Sequence, residues 1–232
     1  MLNMKKQELR ELIEAQGQRY SEILGISLSQ SEEQEVFKWF LASILFGAPI
    51  TEASAIKTYK CFKKHNVLTP DKILKTGWQG LVNILDEGRY TRYDYKTADK
   101  LLEVMNNLKT QYKGNLNELH KQAASPLDLE KRIKTLGKGI GDVTVSIFLR
   151  ELRGIWSKAD PKPTPLVVQA AKNLKIVRND DSEKAKNELI RFWNKNQIKG
   201  ASFINFETAL LRLGKDMRRK RKSVPTLTSS SS

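Results

Sequence analysis

Apolar residues recur every three or four positions along most of the chain, which is the spacing of one face of an α-helix. Between residues 36 and 45 they are dense enough to form a broad apolar face. No segment alternates apolar and polar residues for long enough to indicate a β-sheet. The pattern therefore predicts an all-α fold, starting with an amphipathic helix over residues 4–24 whose apolar positions are Leu9, Leu12, Ile13, Tyr20 and Leu24.

Residues that commonly cap helices precede several of these segments. Ser31, Thr51, Thr69 and Ser125 each stand before a helical pattern, and Gln34 is placed to complete a capping box with Ser31. Thr69 and Ser125 are followed by proline, which is favoured at the first helical position because its missing N–H is not needed there. Further helices are predicted over residues 94–112, 143–152, 166–174, 182–196 and 202–215.

The chain is strongly basic. It has 232 residues, and 41 lysines and arginines against 26 aspartates and glutamates give a formal net charge of +15. Segment 215–222 is rich in basic residues, but the rest of the chain is basic as well. A surplus of this size favours a polyanionic partner, above all nucleic acid. A membrane surface or an acidic protein would be attracted by the same charge, and the basic segment is a nuclear-type signal, an additional DNA contact or a solvated end.

The cysteine count and the apolar stretches exclude several classes of protein. Cys61 is the single cysteine, which rules out a disulfide framework, a four-cysteine zinc site and a four-cysteine iron–sulfur cluster. Cys61 and His65 are too few to form a metal site, so we expect no metal and no other cofactor. The longest apolar stretch, residues 37–50, is interrupted by Lys38 and Pro49 and does not span a membrane. We therefore expect a soluble intracellular protein, either cytoplasmic or associated with the nucleoid or nucleus.

A glycine-rich turn joins two apolar helices through Gly137, Lys138, Gly139, Ile140 and Gly141. Glycines at such a turn let backbone N–H groups approach a phosphate, and the positive end of the following helix dipole attracts the anion. Ile140 is expected to point back and hold the two helices together, and Lys138 adds a positive charge beside the site. The alternative is a tight corner between helices in which glycine is needed for steric reasons alone.

This turn and its surroundings carry a resemblance. Residues 136–145 resemble the helix-hairpin-helix element of the endonuclease III superfamily of DNA glycosylases, and Asp160, within the segment 158–163, matches the catalytic aspartate of the superfamily's proline-rich loop. The resemblance covers residues 33–175, with upstream helices over 36–45, 51–65 and 96–108 and a turn over 88–95.

The resemblance implies an all-α, two-lobed fold. One lobe would be a helical barrel over residues 34–153, with the hairpin motif at about 126–153, and the other would combine residues 1–33 with 154–215. Double-stranded DNA would lie across the cleft, with a damaged base flipped between the lobes. We expect a monomer, followed by a basic, serine-rich disordered tail over residues 216–232.

The candidate chemistry is the cleavage of an N-glycosidic bond. This reaction builds positive charge on the sugar, and the carboxylate of Asp160 would stabilise that charge and activate water. The alternative is that Asp160 begins a turn, as aspartate before proline often does. The resemblance places Val143 where strand-cutting members carry a lysine nucleophile, so a monofunctional enzyme is expected. Lys138 or Lys158 would replace that lysine only if the geometry allowed it.

The chain departs from the superfamily pattern in three ways. It has no cysteine cluster near the C-terminus, so the resemblance is to a clusterless member. It has extra residues, Pro161 to Thr164, after the candidate aspartate. The loop at residues 47–51 lacks the glutamine that fills the space left by a flipped base, and Pro49 or Ile50 is a candidate wedge there, with ordinary loop packing as the alternative.

Base recognition and phosphate contact need further side chains. Aromatic residues would wall the base pocket, although each is a core residue in the alternative interpretation. The candidate walls are Tyr93, Tyr95, Trp39, Phe46 and Trp156. Basic residues would contact phosphates, although each is a solvated surface charge in the alternative interpretation. The candidate phosphate contacts are Arg89, Arg92, Lys96, Lys138 and Lys158.

Two functions follow from this pattern. The first is a monofunctional DNA glycosylase of base excision repair, with Asp160 as catalytic carboxylate and the glycine hairpin as phosphate anchor. The second is a non-catalytic helix-hairpin-helix protein that recognises distorted or branched DNA. The extra prolines after Asp160 and the missing glutamine favour the second function.

Overall fold

The computed structural model describes residues 4–223. Every element of regular secondary structure in that range is a helix, which confirms the all-α prediction. No helix in this range is long and apolar enough to cross a membrane. The helices are Lys6–Gln16 (α1), Tyr20–Ile23 (α2), Glu33–Phe46 (α3), Glu52–Lys64 (α4), Pro70–Glu87 (α5), Asp94–Tyr112 (α6), Leu116–Gln122 (α7), Pro126–Lys134 (α8), Asp142–Glu151 (α9), Pro165–Asn173 (α10), Ser182–Asn196 (α11) and Phe203–Ser223 (α12).

Three of the predicted helix caps are confirmed. The hydroxyls of Thr51, Thr69 and Ser125 each accept a hydrogen bond from the backbone N–H three residues further on, at 3.1 to 3.2 Å. Each bond satisfies one of the N–H groups that the first helical turn leaves without a partner. The starts of α4, α5 and α8 therefore follow from local sequence.

The predicted cap at Ser31 is wrong. Glu32 is the residue before α3, and Ser31 has a φ of 52°, outside any capping geometry. The Ser31 hydroxyl instead donates to Asn117 Oδ1 at 3.1 Å and accepts from the indole N–H of Trp156 at 3.1 Å. Residues distant in sequence thus form hydrogen bonds with the hydroxyl that the local pattern predicted to cap the helix.

The predicted helix over residues 4–24 is two helices. Gly17 ends α1, and a Cβ atom at that position would lie 2.5 Å from the carbonyl oxygen of Ile13. The carbonyl of Gly17 accepts a hydrogen bond from Asn205 Nδ2 at 3.0 Å rather than from the next helical turn. The short helix α7, which the apolar pattern did not predict, begins where Asn115 caps the N–H of Asn117.

Backbone contacts divide the chain into two compact units. The larger is formed by residues 20–161, and the remaining described residues form the smaller. The larger unit thus includes residues 20–33 and 154–161, which the resemblance implied to belong to the other lobe. The reason is hydrogen bonding: Glu151 accepts from the N–H groups of Tyr20 and Ser21, and Trp156 donates to Asn117.

The core of the larger unit is built around α3. Trp39, Phe40 and Leu41 are fully enclosed although they are consecutive, because α4, α7 and α9 all pack against this helix. The indole N–H of Trp39 donates to the carbonyl of Phe148 on α9 at 3.0 Å, and the rings of Phe40 and Phe148 meet edge to face. This contact fixes α9, the second helix of the glycine hairpin, in the core.

The smaller unit packs α1, α10 and α11 against α12. Gly214 on α12 permits a close approach, since a Cβ atom there would lie 2.4 Å from the carbonyl oxygen of Leu166. The helix α12 continues to Ser223, so residues 216–223 of the predicted disordered tail are helical. The serine-rich end at residues 224–232 lies outside the described residues.

Candidate nucleic-acid interface

The glycine hairpin between α8 and α9 is anchored on α6. Gly137 packs against Val104, where a Cβ atom would lie 2.6 Å from a methyl group. Asn107 donates to the carbonyl of Leu136 at 2.9 Å, and Ile140 is 5% exposed, as expected for a residue that holds the helices together. Gly139 has a φ of +86°, a left-handed conformation that favours glycine. The turn is therefore rigid on its inner side.

The outer side of the hairpin is open. Gly141 precedes α9 with a φ of −106°, and no atom lies within 4 Å of the position that a Cβ atom would occupy. Gly139, Gly141, Asp142 and Val143 are exposed, and the residue before α9 offers no side chain to cap its first N–H groups. An uncapped and accessible helix N-terminus is suited to bind an anion.

Charged side chains of α6 modify this surface. The backbone N–H of Lys138 donates to Glu103 Oε2 at 3.0 Å, so this amide is already used within the protein. Lys100 lies against Gly139, with its Nζ atom 3.3 Å from the position of a Cβ atom there. Partial burial lowers the pKa of Lys100. Lys100 is a cation at the hairpin that the sequence interpretation missed, although its position one turn after Lys96 was a signal for it.

The loop after α9 presents Asp160 between two buried residues, Ala159 and Pro161. The Asp160 side chain is 48% exposed, and its Oδ1 atom lies 3.9 Å from Nε of Arg153. Arg153 is 12% exposed and also donates to the carbonyl of Pro161. One arginine thus lies near the candidate carboxylate and binds the backbone of the next residue, a role that the sequence interpretation did not assign.

A second group of contacts holds the same loop further back. The ring of Trp156 stacks on His120 of α7, with centroids 4.6 Å apart and planes 7° from parallel. Its indole N–H is shared between Ser31 Oγ and Asn117 Oδ1, at 3.1 and 3.0 Å. Trp156 is 2% exposed and is therefore a core residue of the loop rather than a wall of an open base pocket.

Lys158 is engaged within the protein. Its Nζ atom donates to the carbonyl of His120 at 3.0 Å and to that of Lys121 at 3.4 Å, at the C-terminal end of α7. A cation at this end of a helix is favourable because the last carbonyls lack helical partners. The predicted phosphate contact is thus a connection between the Asp160 loop and α7.

Replacing Lys158 by methionine is expected to lower the free energy of unfolding by about 1 kcal/mol, since helix-terminal hydrogen bonds are lost. Urea denaturation followed by circular dichroism measures this change. Lys121→Met is the matched control. The Lys121 side chain is 78% exposed, and its replacement removes no hydrogen bond to a helix-terminal carbonyl. A loss of stability in the control equal to that in Lys158→Met would contradict the assignment.

The loop contacts also predict a dependence of stability on pH. Burial, together with the nearby Lys158 ammonium, lowers the pKa of His120. The native protein therefore binds fewer protons at this site than the unfolded chain, so stability is lost as the pH falls below about 6.5, the ordinary value for histidine. His120→Phe keeps a ring against Trp156 and is expected to give a shallower loss between pH 7.5 and 5.5 in urea denaturation. An unchanged slope would show that His120 does not contribute.

The turn before α6 carries exposed basic and aromatic residues. Arg89, with a φ of 65°, Arg92 and Lys96 are exposed, and the guanidinium of Arg92 lies 5.6 Å from the ring centroid of Tyr93, which is half-buried. Tyr95 is 58% exposed. These side chains are accessible to solvent, and their contact with phosphates or a base stays a prediction.

The other predicted pocket and wedge residues differ in accessibility. Trp39 is fully buried and belongs to the core. Phe46 is half-buried, with its ring centroid 4.9 Å from that of Tyr20. Pro49 is exposed and Ile50 half-buried in the loop after α3. The loop residues therefore remain candidates for a wedge, whereas Trp39 lines no accessible surface in the described structure.

Comparisons with protein-family models, with curated proteins and with solved structures found no match. The chain is thus characterised by its own residues: an open glycine hairpin at the start of α9 and an exposed aspartate, within ion-pair distance of Arg153, shortly after its end. Both lie in the larger unit.

Proposed function

We propose that this protein is a monofunctional DNA glycosylase that removes a damaged or mismatched base from double-stranded DNA. The observation that carries the proposal is Asp160, an exposed carboxylate flanked by two buried residues and within ion-pair distance of Arg153, on the loop that follows the hairpin helix α9. A turn-forming aspartate needs no such support, whereas a catalytic carboxylate needs a fixed position.

The proposed roles follow from the contacts. The open N-terminus of α9 at Gly141, with Lys100 beside the hairpin, binds a backbone phosphate of the DNA. Asp160 stabilises the positive charge that develops on the sugar and accepts a proton from the attacking water. The bond between C1′ and the base nitrogen breaks, the base leaves with the electron pair, and the water oxygen bonds to C1′. The exposed side chain of Val143 cannot form a Schiff base, so the strand stays uncut.

A panel of duplexes tests this proposal. Each duplex carries one modified base: uracil, hypoxanthine, 8-oxoguanine, 3-methyladenine, or thymine opposite guanine. After incubation with the protein, half of each sample is treated with alkali before a denaturing gel. Strand cleavage in the alkali-treated half alone is expected for one or more duplexes. Cleavage without alkali would contradict the monofunctional assignment.

A second candidate function is favoured by a specific observation. Trp39 and Trp156, two of the proposed pocket walls, are buried with their indole N–H groups satisfied inside the protein. A non-catalytic protein that recognises distorted or branched DNA needs the hairpin and a basic surface but no base pocket. Clear binding to all duplexes, without cleavage in any of them after alkali, would support this function over the glycosylase.

A further inference from the structure

A buried arginine in the last turn of α9 has no hydrogen-bond partner among the residues that the structure describes. Arg150 is 1% exposed, and its Nε, Nη1 and Nη2 atoms are all buried without an acceptor. An arginine side chain stays protonated and carries five N–H donors. Leaving these donors without acceptors inside a protein is unfavourable, and a bound ligand or water resolves it.

The nearest carboxylate balances the charge of Arg150 but does not accept its hydrogen bonds. Oε1 of Glu151 lies 4.0 Å from Nη2 of Arg150, beyond hydrogen-bond distance. The two carboxylate oxygens of Glu151 instead accept from the N–H groups of Tyr20 at 2.8 Å and Ser21 at 3.0 Å. The opposite charges of Arg150 and Glu151 therefore balance each other, while the buried N–H donors of Arg150 have no acceptor.

Aromatic rings lie beside the guanidinium. The Tyr20 ring centroid is 5.6 Å from Cζ of Arg150 and 4.9 Å from the ring centroid of Phe46. The hydroxyl of Tyr20 donates to Glu52 and so holds the ring in place. The surroundings of Arg150 thus combine π-faces with unused donors.

These features select the chemistry of a ligand. A phosphate or carboxylate would add negative charge beside Glu151 in a buried place, which is unfavourable. An uncharged group that offers acceptor atoms satisfies the donors and leaves the charge balanced. A planar ligand would in addition pack against the Tyr20 ring. An uncharged nucleobase has these properties.

We propose that Arg150 recognises a flipped purine through two adjacent acceptors, the O6 and N7 atoms that hypoxanthine presents. The planar fork of arginine matches this pair of acceptors, as it does at the same edge of guanine in DNA. Because Arg150 is enclosed, the half-buried Phe46 ring moves aside when the base enters, while the Tyr20 ring stays in place to pack against the base. This inference rests on the proposed base-flipping function and adds the class of base to it.

Binding to cleavage-resistant duplexes tests the inference. One duplex carries 2′-fluoroarabino-inosine opposite cytosine, and the other carries 2′-fluoroarabino-adenosine opposite thymine. Both pairs have two hydrogen bonds, and adenine replaces the O6 acceptor by an amino donor. The full chain is expected to bind the inosine duplex at least about fivefold more tightly in fluorescence anisotropy, the lower end of what a bidentate base contact provides.

Arg150→Lys is the matched variant, since it keeps the positive charge beside Glu151 and loses the planar fork. The variant is expected to lose the preference for inosine while its affinity for the adenosine duplex stays within about twofold, because backbone phosphate contacts dominate that affinity. A preference that persists in the variant would overturn the inference. Equal binding of both duplexes by the unmodified chain would overturn it too, and is the result expected if Arg150 holds buried water.

A second measurement avoids dependence on the folding of the variant. In the unmodified chain, 7-deazahypoxanthine replaces N7 by a C–H group, and the preference over adenine is expected to fall by at least about fivefold. An unchanged preference would overturn the inference. Failure of this inference can be distinguished from failure of the proposed glycosylase. A preference for inosine without base release in the duplex panel would support the Arg150 site and contradict the glycosylase activity.

Discussion

Replacing Asp160 by asparagine is expected to lower the rate of base excision by about 100- to 1,000-fold, the usual effect of removing one group that stabilises transition-state charge. The amide is nearly the same size as the carboxylate but has no negative charge and cannot accept a proton from water. Excision is measured under single-turnover conditions on the duplex that the panel identifies, so that binding and product release do not limit the rate.

The same variant is expected to keep its stability and its affinity for DNA. The Asp160 side chain is 48% exposed, so solvent screens the change in charge and the expected effect on stability is small. Asp71→Asn is the matched control, because the Asp71 side chain is 76% exposed and pairs with Lys109 on the surface. An excision rate in Asp160→Asn equal to that of the control would remove Asp160 from the mechanism.

The second large effect is expected at the hairpin. Gly141→Val should weaken binding to duplex DNA by about 10- to 100-fold, the range expected when a hydrogen-bonded charged contact is lost. The valine side chain would occupy the open space before α9, where the phosphate is proposed to bind. The fold should tolerate it, because the φ of −106° and ψ of −176° at Gly141 are extended values that suit a β-branched residue.

Affinity is measured by fluorescence anisotropy over a series of salt concentrations. If one phosphate contact is lost, the slope of log affinity against log salt falls by about 0.9. Thr110→Val, on the exposed side of α6, exchanges a hydroxyl for a methyl group outside the glycine turn and is expected to change neither quantity. A melting temperature and DNA affinity unchanged in Gly141→Val would show that the hairpin does not contact DNA.

The sequence predicted those parts of the fold that depend on neighbouring residues. The caps at Thr51, Thr69 and Ser125 use N–H groups three residues away, so a local pattern contains all the information. Ser31 has the same kind of side chain and does not cap, because Asn117 and Trp156 bind its hydroxyl. Such partners depend on the tertiary fold and cannot be predicted from a local sequence pattern.

The candidate site shows the same division. The open glycine hairpin and the loop position of Asp160 follow from residue types and spacing, whereas the contacts of Arg153 with Asp160 and Pro161 require the folded loop. The sequence also treated Lys158 as a DNA contact, although its ammonium group caps α7. A lysine at the surface and a lysine bound to helix carbonyls are indistinguishable by spacing.

Aromatic residues were the hardest to assign. A tryptophan is equally typical of a base pocket and of a core. Trp39 and Trp156 are buried with their N–H groups hydrogen-bonded inside the protein, which places them in the core. Arg150 is the converse case, since an arginine in an apolar helix carries no sequence signal for burial. Its unused donors became evident from the packing of α9.

Mass spectrometry of the DNA product tests the central claim, the hydrolysis of an N-glycosidic bond, most directly. A duplex from the panel is incubated with excess protein, and both strands are weighed without alkali treatment. The account predicts that the modified strand keeps its full length and loses the mass of one base in exchange for one hydroxyl group. Strands of unchanged mass in every duplex would contradict it.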